Sequence, residues 1–228
     1  AGRLLELPFG RGKVRGVALS DSASTGKTHA FKLRPLTRCF APHYDLSPDL
    51  IRLAKWMSQY YFCPIGEVFS AMGCPQPLQS DGLEPEGVSG TRRVSELPEL
   101  NPGQKEVWQA LGEAGDRRPI LLHGVTGSGK SLIYWKAFAE CLERGESCIY
   151  LLPEITLTRE TLRAIRGRFD PVLVFHSGMS PKERRETWLK ARMGGPHLVI
   201  GARSALFSPL QKIGLIVVDE EHDGSFKQ

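Results

Sequence analysis

The sequence predicts an α/β fold in which a parallel-sheet lobe, residues 99–228, follows a small, mostly-β domain, residues 1–75. Three observations carry that reading. Over 99–228, strand-length apolar runs alternate with helix-length stretches, the pattern of a parallel sheet with helices on both faces. Over 1–75, short apolar runs alternate with glycine and charge, the pattern of strands joined by turns. Between them, residues 76–98 carry Pro, Gly and acids without an apolar period and read as a linker.

In the first zone, Leu4-Leu5-Glu6-Leu7, Val14 to Leu19 and Phe31-Lys32-Leu33 read as strands. Ser47-Pro48 opens a helix from about Asp49 to Tyr61, because Ser is a good N-cap and Pro suits the first helical position. Its apolar residues Leu50, Leu53, Ala54, Met57, Tyr60 and Tyr61 fall at helical spacing, so this helix is expected to pack on the small sheet. In the lobe, strands are expected near 119–123, 147–152, 172–176, 197–201 and 214–219. Helices fill the gaps, near 104–113, 131–143, 158–168 and 181–193. No internal repeat is visible.

Composition narrows the class. The 228 residues are enough for one or two domains with real cores, and the 41% hydrophobic content is that of a globular chain. A net charge of +5 favours an anionic partner. Nine Lys or Arg against four acids between Arg159 and Arg192 concentrate that charge, mostly on solvated helix faces. The five cysteines are scattered, with no C-x-x-C pair, which points to neither a disulfide framework nor a zinc cluster but to reduced thiols in a cytoplasmic protein. No apolar run approaches the roughly 18 residues of a membrane span, and no signal peptide is visible. Beginning at Ala1 and stopping after Lys227-Gln228, the chain reads as part of a larger protein.

Two motifs carry chemistry. Gly124-Val125-Thr126-Gly127-Ser128-Gly129-Lys130-Ser131 fits the phosphate-binding pattern G-x-x-x-x-G-K-[ST]. Between a strand at Ile120-Leu121-Leu122-His123 and a helix from Leu132, such a loop turns its amides and the positive helix end toward an anion. Lys130 is expected to reach the β- and γ-phosphates of ATP, and the Ser131 hydroxyl to bind Mg²⁺. The second motif is Asp219-Glu220-Glu221-His222, directly after the apolar run Leu215-Ile216-Val217-Val218. An acid at the end of a buried strand sits where ligands bind in open α/β sheets. Asp219 is expected to complete the Mg²⁺ shell, and Glu220 to act as general base or to orient the attacking water. Gln104, in the first turn of a helix upstream of the loop, is a weaker candidate for reading the adenine edge.

Three further segments fall in order between these motifs: Leu152-Pro153-Glu154-Ile155-Thr156-Leu157-Thr158, His176-Ser177-Gly178, and Ile200-Gly201-Ala202-Arg203-Ser204-Ala205-Leu206-Phe207. Together the set resembles the ordered motifs of superfamily 2 helicases, and more narrowly those of the PriA (primosomal protein N′) replication-restart family. The match runs through Val217 to Gln228 and covers 119–228. Pro8-Phe9-Gly10 and Tyr60 to Glu67 resemble the same family's amino-terminal DNA-binding domain.

The resemblance implies a RecA-like P-loop ATPase lobe behind a 3′-end-recognising domain. It implies a 3′→5′ DNA helicase that recognises stalled forks and D-loops and starts primosome assembly. By the same resemblance Gly10 and Lys32 fall in the pocket for the 3′ end. Pro153, Glu154, His176, Ser177, Arg203 and Ser204 would line the single-strand track, and Phe226 and Lys227 would begin an aromatic-rich coupling loop. Single-strand binding protein and helicase-loading proteins are the implied protein partners, the nucleoid the implied place of work. Four family features have no counterpart in the sequence: the upstream strand with its aromatic–acid pair, a winged helix, the second helicase lobe, and the cysteine-rich zinc insertion, so no zinc ligands are expected here. Without a second lobe to supply an arginine finger, the chain alone is expected to bind nucleotide poorly and to hydrolyse it hardly at all. Competing readings are a non-enzymatic fork-binding scaffold, a P-loop kinase, and another superfamily 2 repair or recombination translocase. The intact Lys130 and Asp219-Glu220 oppose the first, the ordered helicase segments oppose the second, and the amino-terminal match opposes the third.

Overall fold

The computed structural model describes residues 1–20, 34–73, 93–113, 119–125 and 127–226. In chain order come β1 (Leu4–Phe9), β2 (Gly12–Val17), β3 (Arg38–Cys39), α1 (Pro48–Tyr60) and α2 (Ile65–Ala71). Then follow β4 (Arg93–Val94), α3 (Pro102–Glu113), α4 (Lys130–Glu143), β5 (Ser147–Leu151) and α5 (Arg159–Arg166). The last are β6 (Phe169–Asp170), β7 (Val172–Phe175), α6 (Pro181–Met193), β8 (Leu198–Gly201) and β9 (Ile213–Val218). Contacts divide them into two units. The first gathers the described residues up to 73 with 175–194 and 204–211; the second holds the remainder.

In the first unit β1 and β2 form an antiparallel hairpin in register Leu4↔Val17 to Phe9↔Gly12, and β3 pairs with the other edge of β1. The hairpin turns at Gly10, whose φ of +57° suits a residue without a Cβ. Leu4, Phe40, Leu46, Leu50, Ile51, Ala54, Val68 and Met72 make the core, and α6 adds Trp188 and Leu189. Ser47 caps α1, its hydroxyl accepting from the Leu50 amide at 3.3 Å, and Pro48 opens the helix as expected. Leu50 and Ala54 are buried as the helical spacing predicts. Tyr60 and Tyr61 are not: each is 62% exposed, because the last turn of α1 runs past the core. There Tyr60 stacks on Trp56 at 4.9 Å instead of on the sheet. The expected strand at Phe31 to Leu33 lies outside the described residues. Helix α2 was not foreseen; its seven residues are too few for a periodic signal.

The second unit carries a four-stranded sheet in the order β7-β8-β5-β9. Strand β5, buried along its whole length, is parallel to both β8 and β9. Its even-numbered residues Cys148 and Tyr150, with Leu152 just beyond its end, share one cluster with Leu198 and Ile200 of β8. Phe138, Cys141 and Leu142 of α4, Ile165 of α5 and Phe169 complete that cluster. A small antiparallel pair, β4 with β6, joins Arg93–Val94 to Phe169–Asp170. The stretch between 76 and 92 lies outside the described residues.

One expected strand is missing. Residues 119–125 have no regular secondary structure, and Ile120 and Leu121 are 49% and 76% exposed. The apolar run is only three residues long. Pro119 before it has no N–H to give a ladder, and Gly124 soon after it has no side chain to pack. A short apolar run does not by itself specify a strand.

Candidate nucleotide-binding site

Helix α4 begins differently from most of its neighbours. Ser47, Thr158 and Ser180 cap α1, α5 and α6 with side-chain oxygens. The N-cap of α4 is Gly129, at φ +81°, with no side-chain cap. No side-chain oxygen therefore claims the first turn of α4; the Leu132 amide donates back to the Gly129 carbonyl at 3.1 Å, and the helix start faces an anion through the amides before it. Gly127, at φ +80°, has nothing within 4 Å of where a Cβ would stand, so the loop keeps an open hollow. Thr126 lies outside the described residues. Ser128 closes the turn through its amide to the Val125 carbonyl at 3.2 Å, and Ser131 is exposed in the first turn.

Lys130 is the first residue of α4. Its Nζ donates to the carbonyls of Gly124 at 2.6 Å and Val125 at 3.2 Å. The ammonium thus rests on neutral loop oxygens that a phosphate would outcompete, since hydrogen bonds to ionised acceptors are the stronger ones. Gln104 lies against the same loop. Its amide donates to the Gly129 carbonyl at 3.2 Å, and its oxygen accepts from the Asn101 amide at 2.9 Å. A Cβ on Gly129 would run into that Gln104 amide. The side chain of Gln104 therefore joins α3 to the loop.

The acidic motif is held more firmly. The Asp219 amide donates to the Leu151 carbonyl at 2.9 Å, extending the β5–β9 ladder by one bond. One carboxylate oxygen of Asp219 accepts the Tyr150 hydroxyl at 2.7 Å, and the other accepts the Glu220 amide at 3.1 Å. Glu220 adopts φ +50°, an uncommon conformation for a residue with a side chain. Its carboxylate lies 3.4 Å from Nε2 of His222. Tyr150 is buried, and its ring lies 5.3 Å from Phe138 and 6.0 Å from Tyr134, both on α4. Burial, then the bond to Asp219, pushes the Tyr150 phenol far up. Burial, then the charges of Asp219 and Glu220, pushes Tyr134 up to about 12. Tyr134 follows Lys130 by one helical turn. The helix that starts in the phosphate loop and the acid at the end of β9 therefore meet through Tyr134 and Tyr150. The sequence reading did not single out either tyrosine. The available signal was a phenol inside an otherwise apolar strand, Cys148-Ile149-Tyr150-Leu151-Leu152.

Strands β5, β8 and β9 end in register, with Leu151 opposite both Gly201 and Val218. Pro153 and Glu154 after β5, Arg203 after β8 and Asp219 after β9 consequently leave from one edge of the sheet. Pro153 is buried, whereas Glu154 and Arg203 are exposed. In the first unit His176 and Ser177 are exposed, and the His176 carbonyl accepts from Arg184 at 3.2 Å; Ser204 lies in a one-turn helix, Arg203–Phe207. Gly10 is exposed at the hairpin tip. Phe226 ends a short 3-10 turn after the acidic motif. Lys32 and Lys227 lie outside the described residues.

A glycine-capped helix start with a lysine, beside a carboxylate at the end of a parallel strand, fits a nucleotide triphosphate and its divalent cation. The donor set is right for both: amides and an ammonium for phosphate, and carboxylate and hydroxyl oxygens for a hard metal. This is the architecture of a P-loop nucleotide-binding lobe. The chain belongs to the DEAD/DEAH box helicase family, which it matches over residues 101–227. Residues 1–73 match a 3′ DNA-binding domain. Among curated proteins, the chain is similar to Replication restart protein PriA of Treponema pallidum, 33% identical over 99% of this chain and 35% of that protein. It is also similar to the protein of that name from Chlamydia pneumoniae, 48% identical over 94% of this chain and 41% of the relative. The protein of that name from Rickettsia conorii is 30% identical over 100% of this chain and 34% of the relative. The chain thus spans between about a third and two-fifths of the length of these relatives. Among the described residues, no helix is long and apolar enough to cross a membrane.

Proposed function

We propose that this chain is the end-recognising and ATP-binding part of a DNA helicase that restarts replication at forks and D-loops. The observation that carries the reading is the joint presence of a 3′ DNA-binding domain match over 1–73 and a DEAD/DEAH box helicase match over 101–227. An end-binding domain tells the protein where to load, and a P-loop lobe supplies work once it is there. Movement is 3′→5′, by resemblance to the replication-restart family.

Each residue has a defined task. The free amides of the loop and Lys130 bind the phosphates and offset their charge. ATP, when bound, supplies a phosphoryl group whose transfer to water needs positioning and charge neutralisation more than covalent chemistry. Asp219 and Ser131 would hold Mg²⁺, which would offset charge on the phosphates. Glu220 orients the attacking water and takes its proton. Gln104 recognises the base edge and senses the loop through its bond to Gly129. Pro153, Glu154 and Arg203, leaving the same sheet edge as Asp219, contact single-stranded DNA together with His176, Ser177, Ser204, Phe226 and Lys227. Backbone and phosphate contacts of this kind give affinity without sequence readout. Gly10 and Lys32 serve the 3′ end.

In the parent protein, zinc sits in a separate cysteine-rich region, single-strand binding protein and a helicase loader are the protein partners, and the place of work is the bacterial cytoplasm at the nucleoid. The test is DNA-stimulated ATPase in the full-length protein, on forks whose 3′ end is free or phosphate-blocked, across a salt series. Stimulation with a preference for the free end is expected. Stimulation without that preference leaves a general translocase, and ATP hydrolysis indifferent to DNA removes the helicase reading.

A further inference from the structure

The Tyr150 hydroxyl donates to the Asp219 carboxylate at 2.7 Å. The geometry of β5 and β9 explains how. Tyr150 lies opposite Val217, and Asp219, two residues further, points to the same face of the sheet. The phenol therefore reaches diagonally along its neighbour strand to the acid. Its ring cannot swing away, because it is buried at 4% exposure between Phe138 and Tyr134. The other Asp219 oxygen is fixed by the Glu220 amide. The carboxylate thus has both oxygens oriented before any nucleotide arrives, one by backbone and one by a braced phenol. Each oxygen keeps a further lone pair, so neither bond stops the group from serving a cation.

We infer that Tyr150 is a positioning residue for magnesium: it holds the Asp219 carboxylate in the orientation that takes up the nucleotide-bound ion and ties that orientation to helix α4. The inference rests on the P-loop ATPase reading. It goes beyond that reading by assigning metal affinity to a strand residue outside both nucleotide motifs. Partners that orient a metal-binding carboxylate from behind usually matter about 10–100-fold for metal affinity. Tyr150 also links that carboxylate back to the phosphate-loop helix, through ring contacts with Tyr134 and Phe138. Closure of the loop on phosphate and orientation of the metal ligand are therefore mechanically connected.

The experiment uses the full-length protein and a fluorescent, non-hydrolysable ATP analogue, titrated in EDTA and then with increasing Mg²⁺. Tyr150→Phe keeps the ring and its packing and removes only the hydroxyl. In EDTA the variant should bind the analogue as the unaltered protein does, with an unchanged melting temperature. The Mg²⁺ concentration giving half of the affinity gain should rise about 10-fold, at the low end of the usual outer-partner effect. An unchanged or lower Mg²⁺ requirement overturns the inference. So does an equal loss of affinity in EDTA, which would make Tyr150 a packing residue. Lys130→Ala is run beside it. If the unaltered protein binds no analogue, or Lys130→Ala binds it as well, the P-loop reading itself fails. If Lys130→Ala loses binding while Tyr150→Phe responds normally to Mg²⁺, only the present inference fails.

Discussion

The phosphate loop and the acidic motif approach the same chemistry from opposite kinds of backbone. Residues 119–125 lie outside the sheet, with Leu121 three-quarters exposed, and Lys130 rests on two loop carbonyls. Asp219 is bonded into the sheet ladder, with both carboxylate oxygens engaged. The difference follows from what each must bind. A loop that closes around phosphate needs unclaimed amides, and satisfying them within the protein would cost the ligand its partners. A metal ligand, the role proposed for Asp219, works through fixed direction, and here both carboxylate oxygens are oriented beforehand. On the proposed reading, nucleotide would complete the first region and find the second already formed.

The largest expected effect tests the preformed side. Glu220→Gln should lower ATP turnover in the full-length protein by roughly 10²–10⁴, the usual range for general acid–base catalysis. Nucleotide affinity should be kept and ATP trapped, because the Asp219 shell is untouched. A loss of affinity measured by equilibrium binding would show that Glu220, at its unusual φ of +50°, maintains the turn rather than the chemistry. Next comes the ligand-completed side. Lys130→Ala should cost roughly 10²–10³ in DNA-stimulated turnover, as removal of a charge-stabilising donor does. It should weaken nucleotide binding as well, yet leave the melting temperature of the free protein nearly unchanged. A large drop in stability would mean that the Lys130 bonds to Gly124 and Val125 are structural, and the contrast between the two regions would be lost.

The same contrast sets what could be read from sequence. Helices α3 to α6 and strands β5, β7, β8 and β9 appear close to where periodicity and apolar runs place them. The strand before Asp219 was legible from four apolar residues and an acid, but its burial was not: β9 ends the order of its sheet, and Ile216 and Val218 are 45% and 42% exposed instead of buried. The loop side was legible as a motif but not as a strand. Ile120 to Leu122 carry the right residues, yet nothing in a three-residue run specifies a ladder partner. Tyr150 escaped notice for another reason: its role depends on a diagonal contact across 69 residues of sequence, which only the β5–β9 register reveals. Trp188 and Leu189 are similar. Their helix was foreseen, but a core shared with Leu4 and Phe40 was not, since a helix pattern does not name the surface it packs on.

A smaller effect is expected at the hinge between loop and helix. Gly129→Ala puts a Cβ at φ +81° and against the Gln104 amide. Strain of this kind costs about 1–3 kcal/mol locally. Nucleotide affinity should fall about 10-fold, the upper part of that range being spent on displacing Gln104. Gln104→Ala removes the proposed base contact but vacates the space, so the penalty of Gly129→Ala should be smaller in a Gln104→Ala background than in the unaltered protein. If the penalty is the same in both backgrounds, the backbone conformation alone limits the loop, and Gln104 does not couple to it.

The smallest effect belongs to the turn that follows the acids, and its sign can be worked out. The Asp223 carboxyl lies below the usual carboxylate range because Ser225 donates to it from its hydroxyl and from its amide, the latter at 2.8 Å. A carboxyl whose pKa is lowered by folding binds fewer protons folded than unfolded across that window, so its stabilising contribution is fully present above the ordinary carboxylate pKa. That contribution is lost as pH falls through the lowered, folded value. Ser225→Ala removes the hydroxyl and keeps the amide, so the Asp223 pKa should move part of the way back up. The acid limb of the stability curve should move with it to slightly higher pH. Carboxyl-carbon NMR titration of Asp223 reads the first change, and thermal unfolding between pH 3 and 6 reads the second, a window bracketing the ordinary carboxylate range. An Asp223 pKa that stays low without the hydroxyl assigns the order of this turn to backbone alone. A pKa that returns all the way would mean that the amide bond contributes nothing, and the turn after Asp219 would then be no more preformed than the phosphate loop.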